Sequence, residues 1–403
     1  MDTGKRAPGG AWAIWAVCLL AAMLEGFDIQ SMGVAAPRMV PALGLSPGQA
    51  GWAFSASLIG LMIGASVGGT IADRIGRRPV LVFSAAAFGL FSLVTPLARS
   101  FEPLLAARFL TGLGLGGAMP MLIALASEQA GAARKATMVA LVTAGMPLGG
   151  ALAGLLARSP LAEDWRMIFV FGGLAPLLIA PLLHGVLPLG RPEAIARQGR
   201  AALAALFAPS RLAISLSLWV AVALTALILH LLLNWLPTLL VARGLPKSAA
   251  FTAAALFNLG GASGGILFGL LADRFGPRWP LIGGFAGLAL ALLGLAAAGA
   301  GGAIAALAFA AGFLLMGGQF TLYSLAPRLY ADAVRGTGVG AAIAASRLGS
   351  IFGPLAAAQL IGGGATGVAV VSALVPVALA TGVAAALLTV FGQRSAMADR
   401  HSD

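Results

Sequence analysis

The sequence predicts an all-α membrane protein with twelve transmembrane helices in two pseudo-symmetric six-helix halves. Three observations lead there. The 403 residues are 60% hydrophobic and 9% charged, whereas a soluble chain carries about a quarter charged residues. The apolar segments recur at the roughly 20 residues that a bilayer-spanning helix needs. The chain also repeats itself: "IADRIGRRP" at 71–79 returns as "LADRFGPRW" at 271–279, an offset of 200 residues. At the same offset, the stretch from Arg134, "RKATMVALVTAGMPLGGALAG", pairs with "VRGTGVGAAIAASRLGSIFGP" from Val334.

The first apolar run starts near Ala11, after "MDTGKR", and no small-residue cleavage site interrupts it. It reads as a first span rather than a removable signal. Spans are expected near 11–34, 48–71, 79–97, 102–127, 137–157 and 166–187, then near 213–238, 248–271, 279–299, 303–326, 339–361 and 366–391. Turns are expected at "AGAGGA" and "GGGATG", inside two long uncharged stretches. The longest hydrophilic stretch, Gly190–Arg211, separates the halves. The division is therefore 1–187, a cytoplasmic linker at 188–212, and 213–403.

The net charge of +12 does not form one basic patch, which argues against nucleic acid. Its distribution instead orients the spans. Seventeen Lys and Arg, from Lys5 to Arg400, fall on the side of the N-terminus, against Arg38, Arg99, Arg158, Arg243 and Lys247 on the other. Both termini are therefore expected in the cytoplasm. Cys18 is the sole cysteine and there are 3 His, so neither a disulfide framework nor a metal site is expected. No nucleotide loop or nucleophile–base set is apparent, so the chain does not read as an enzyme and no cofactor is expected. The glycines of "GLGLGG" lie in an apolar helix, where packing accounts for them.

"GGTIADRIGRR", between spans two and three, resembles the loop signature of the major facilitator superfamily, and the two-fold repeat agrees with that fold. Four further regions resemble the aromatic acid:proton symporter family within it. They are "EGFDIQSMGVAAPRM" in span one, "RFLTGLGLGGAMPMLIALASE" in span four, "NWLPTLL" in span seven and "RGTGVGAAIAASRLGSIFGP" in span eleven. Glu25 stands where that family usually has Asp, so the carboxylate reaches one methylene further. The resemblance implies a transporter of the bacterial inner membrane that carries small aromatic acids with protons.

The intramembrane charges carry the chemistry. Glu25 and Asp28 are three residues apart and share a helix face. An ionised side chain facing lipid is costly, so this face is expected to look into the cavity between the halves. Two nearby carboxylates in a low dielectric do not both ionise cheaply, so the pair is expected to take up the coupling proton. The alternative is an acid that anchors the outer end of span one. Arg347 lies near the middle of span eleven, with Pro147 as its repeat partner. Its planar fork suits a substrate carboxylate, and the alternative is a permanent ion pair with Asp28 or Glu25. Arg108, two turns into span four, resembles a superfamily position linked to proton transfer or substrate binding. Its alternatives are snorkelling to the outer surface and a pair with Glu102.

Trp235, Phe27 and Tyr323 are candidates for stacking on an aromatic ring. Asn234, Gln319 and Asn258 are candidates for polar contact with it. Ordinary helix packing accounts equally well for each, and His184 and His230 are given no role. Asp73, Arg74, Arg77 and Arg78 read as a latch at the inner gate, with Asp273, Arg274 and Arg278 as its weaker copy. Glu128, Arg134 and Lys135 are expected in the same layer. The expected function is proton-coupled import of small aromatic carboxylates by alternating access, the chain acting as a monomer. The alternative is a proton-coupled exporter of lipophilic drugs or metabolites, which the buried acids suit and Arg347 argues against.

Overall fold

The structure is a computed structural model that describes residues 10–128, 135–187, 204, 206–299, 301–330 and 332–400. Thirteen α-helices account for nearly all of the described residues. They are α1 (Ala11–Ala42), α2 (Pro47–Ile75), α3 (Arg77–Val94), α4 (Phe101–Leu115), α5 (Ala118–Glu128), α6 (Lys135–Arg158) and α7 (Arg166–Val186). Then follow α8 (Pro209–Ala242), α9 (Lys247–Phe275), α10 (Arg278–Ala297), α11 (Gly301–Leu325), α12 (Asp332–Gly362) and α13 (Gly367–Arg400). Among the described residues, eleven are long and apolar enough to cross a membrane. The remaining span, fourth in order, consists of α4 and α5 in series.

Most helices run some residues past the expected spans, and spans one and four depart in ways that bear on the site. Span one was expected to stop near Val34, before its prolines, yet α1 continues through Pro37 and Pro41 to Ala42. Span four was expected to be continuous, but it turns at Gly116–Gly117. Pro120 has no N–H to give the Gly116 carbonyl, so the ladder is already short of a bond where the helix breaks. The second half carries Phe320 at the matching position, and α11 is unbroken.

The 200-residue repeat is visible in the backbone. Gly44 and Gly244 end the first helix of each half with φ of 61° and 87°, and Gly76 and Gly276 separate the second from the third with φ of 90° and 77°. These are left-handed values that a Cβ disfavours. α2 begins with a capping box in which Ser46 and Gln49 bond reciprocally.

The helices fall into two compact units. One holds α1 to α7 with Pro246–Ala255, the first turns of α9; the other holds α8, α9 from Leu256, and α10 to α13. In the first unit, α1 crosses α6 where Gly149 meets the Met23 carbonyl. In the second, α8 crosses α12 at the equivalent place, with Gly349 against the Ala223 carbonyl. Missing side chains let helices approach this closely. Arginines close two helix ends. Arg38 donates to the carbonyl of Ala157 (2.9 Å) at the end of α6 and to that of Ala162 (2.7 Å) in the short turn that follows. Arg243 donates to those of Leu295 (2.7 Å), Ala296 (3.2 Å) and Ala298 (2.6 Å) at the end of α10. Each places a cation on the negative end of a helix dipole.

Candidate functional site

The first unit contains a buried charge pair. Asp28 of α1 and Arg108 of α4 are fully buried. The guanidinium meets the carboxylate in two parallel bonds, Nη2 to Oδ2 at 2.7 Å and Nη1 to Oδ1 at 3.2 Å. Ser92 of α3 donates to Oδ1 from 3.2 Å. The Phe169 ring of α7 lies 5.4 Å from the guanidinium carbon, on the face that a cation prefers. Four helices thus converge on one ion pair. Arg108 neither reaches the surface nor pairs with Glu102, because its partner is Asp28. Glu25, one turn before Asp28, is also buried. Phe27 packs towards Gly172 of α7, where an added Cβ would come within 3.1 Å of its ring.

The second unit contains a polar cluster on α8, α11 and α12. Gln319 Nε2 donates to the Tyr323 hydroxyl (3.3 Å), which is 2.6 Å from Ser346 Oγ. Ser346 precedes Arg347, which is half-buried and has no ion-pair or hydrogen-bond partner among the described residues. Asn234 of α8 is buried and donates to the backbone carbonyl of His230 (2.8 Å). Asn258 is buried on α9. Trp235 of α8 is buried as well. Its indole N–H donates to the Pro354 carbonyl at 3.0 Å. With Thr238 and Arg243 it lines a cavity of about 480 Å³ at the end of α8.

The latch residues are brought together in part. Arg77 pairs with Glu128. Asp273 takes Arg328 at 3.9 Å, a partner the sequence did not point to. Arg328 is the repeat equivalent of Glu128, so the sign of the charge at this position is reversed between the halves. Both pairs are solvent-exposed and add little stability. Asp73 is half-buried, Arg74 and Arg274 are exposed, and Arg78 is partly buried. Arg134 lies outside the described residues. Ser92 and Phe169 were missed, because only the tertiary fold places them beside Asp28 and Arg108; Ser346 was missed although it precedes Arg347 in the sequence, because its bond to Tyr323 joins two helices.

The sequence profile of the Major Facilitator Superfamily matches residues 18–354. The chain belongs to this superfamily. Among characterised relatives, the 3-(3-hydroxy-phenyl)propionate transporter of Escherichia coli K12 is 41% identical over 92% of each chain. The 4-hydroxybenzoate transporter PcaK of Pseudomonas aeruginosa is 35% identical over 92% of this chain and 91% of its own. Within the superfamily the chain thus groups with aromatic acid transporters, and it is a multi-pass membrane transporter rather than an enzyme. The D-xylose–proton symporter has the same fold, with a TM-score of 0.72 at 20% identity over 93% of this chain and 97% of that one.

Proposed function

We propose that the protein imports small, hydroxybenzoate-like aromatic carboxylates together with protons by alternating access. It works as a monomer in the bacterial inner membrane with both termini cytoplasmic. The observation that carries the reading is Arg347, a half-buried guanidinium with no counter-charge among the described residues, set beside a chain of hydroxyl and amide groups. A sheltered cation without an anion favours one from outside, and its planar fork fits a carboxylate. The names of the relatives support an aromatic body on that carboxylate.

In this reading Glu25 and Asp28 take the coupling proton. Protonation of Asp28 removes half of a buried pair and releases Arg108, which links proton uptake to rearrangement. Phe27, Tyr323 and Trp235 supply ring contacts, and Asn234 and Gln319 supply polar ones. Asp73, Arg74, Arg77, Arg78, Glu128, Arg134, Asp273 and Arg274 act at the inner gate.

The test is uptake of labelled 4-hydroxybenzoate and 3-(3-hydroxyphenyl)propionate by energised membrane vesicles. Uptake is expected in wild type and is expected to collapse with a protonophore, in Asp28→Asn and in Arg347→Ala. Absence of uptake of any aromatic acid, with expulsion of cationic dyes instead, would overturn the importer and favour the exporter.

A further inference from the structure

His230 belongs to the polar cluster of the second unit although no part of the transport scheme above uses it. It lies on α8 and is 8% exposed. Its Nδ1 is 3.0 Å from the Ala226 carbonyl one turn back. A carbonyl only accepts, so Nδ1 carries the hydrogen, and Nε2 of the neutral ring is a bare lone pair. Asn234 shares this helix face, four residues on, and bonds the His230 carbonyl. Arg347 is close enough for its charge to act on the imidazole.

We propose that His230 Nε2 accepts a hydrogen bond from a ring hydroxyl of the substrate, making it a specificity-determining residue for phenolic over unsubstituted aromatic acids. This rests on the reading that Arg347 holds the carboxylate. The two groups then grip opposite ends of one molecule. Arg347 recognises any carboxylate, whereas His230 requires a donor on the ring. An unsubstituted ring leaves the sheltered lone pair unmet, and a methyl ether in place of the phenol adds a second acceptor facing the first. Sites built around a hydrogen bond reject analogues that lack it much more strongly than apolar pockets reject an extra group.

The experiment compares uptake of 3-(3-hydroxyphenyl)propionate, its 3-methoxy ether and 3-phenylpropionate by wild type, His230→Phe and His230→Gln. Each rate is taken relative to the same variant's uptake of 3-phenylpropionate, so a poorly folded variant lowers all rates without moving the ratios. Wild type is expected to favour the phenol over both analogues by about tenfold or more. His230→Phe is expected to lose most of that preference, and His230→Gln, whose amide oxygen approaches the Nε2 position, to regain part of it. A wild type that carries the ether as well as the phenol overturns the proposal, whatever the variants do. So does a His230→Phe variant that keeps the preference. Absence of uptake of all three acids by wild type overturns the aromatic acid reading itself and this inference with it.

Discussion

Asp28 and Arg108 are both fully removed from solvent, so neither charge can be stabilised by water when its partner is lost. Removing one member of such a pair costs about 3–5 kcal/mol, whereas replacing both with neutral groups is close to neutral. Asp28→Asn and Arg108→Gln are each expected to lower the unfolding temperature of the purified protein in detergent. The double variant is expected to recover most of the loss while remaining inactive in transport. Additive losses in that cycle would mean that the two side chains do not stabilise each other. Ser92 offers a milder change. Ser92→Ala removes one donor to Oδ1 and leaves the bidentate pair, so a loss of about 1 kcal/mol is expected, seen as a small shift in the same melt. The sequence revealed each of these charges as costly in a membrane. It could not reveal their partners. Asp28 and Arg108 are 80 residues apart, and the rotation of two helices about their axes decides whether they meet.

At the level of elements, helix approach depends on which glycines face a neighbour. Gly264 of α9 lies against the Phe313 carbonyl of α11, and an added Cβ would overlap that backbone atom. Gly269, one turn further, has nothing within 4 Å. Alanine is the better helix former by roughly 0.5–1 kcal/mol, so Gly269→Ala is expected to be neutral or stabilising. Gly264→Ala is expected to reduce folded yield, since backbone cannot yield as a side-chain tip can. Size-exclusion profiles of the two variants make the comparison, and equal profiles would refute the close approach. Arg243 acts on an element end. Arg243→Met leaves three carbonyls at the end of α10 without their donor, with an expected loss of about 1–3 kcal/mol. Arg243→Lys should recover only part of it, because an ammonium lacks the fork. Span existence and order were legible because apolar length and turn residues are local signals, and the turns at "AGAGGA" and "GGGATG" fall where composition put them. The break between α4 and α5 was not legible. The apolar run continues through it, and only the lost Pro120 donor and the turn at Gly116–Gly117 mark it.

For the whole molecule, the repeat offers a reason why the two halves carry different chemistry on the same scaffold. Four positive-φ glycines, Gly44 with Gly244 and Gly76 with Gly276, correspond at an offset of 200 residues, yet Asp28 is matched by Ile228 and Arg347 by Pro147. The acids belong to one half and the free guanidinium to the other. In the proposed cycle the first half therefore takes protons and the second takes the anion, and the ratio of the two sets the driving force. One proton with one monoanion moves no net charge, so uptake would follow the pH gradient and ignore membrane potential. Two protons, with both Glu25 and Asp28 loaded, would carry one positive charge inward, and an inside-negative potential would add about 2.3 kcal/mol per 100 mV. Arg108 offsets the charge of Asp28, so an ionised Asp28 does not hold Glu25 protonated, and loading of both acids is the expected mode. Wild-type uptake in vesicles should then rise with an imposed inside-negative potential at fixed pH gradient. Glu25→Gln should abolish that response while keeping the response to the gradient. A wild type indifferent to potential would assign one proton per anion and remove Glu25 from the coupling step; a Glu25→Gln variant that still responds to potential would place the second proton elsewhere.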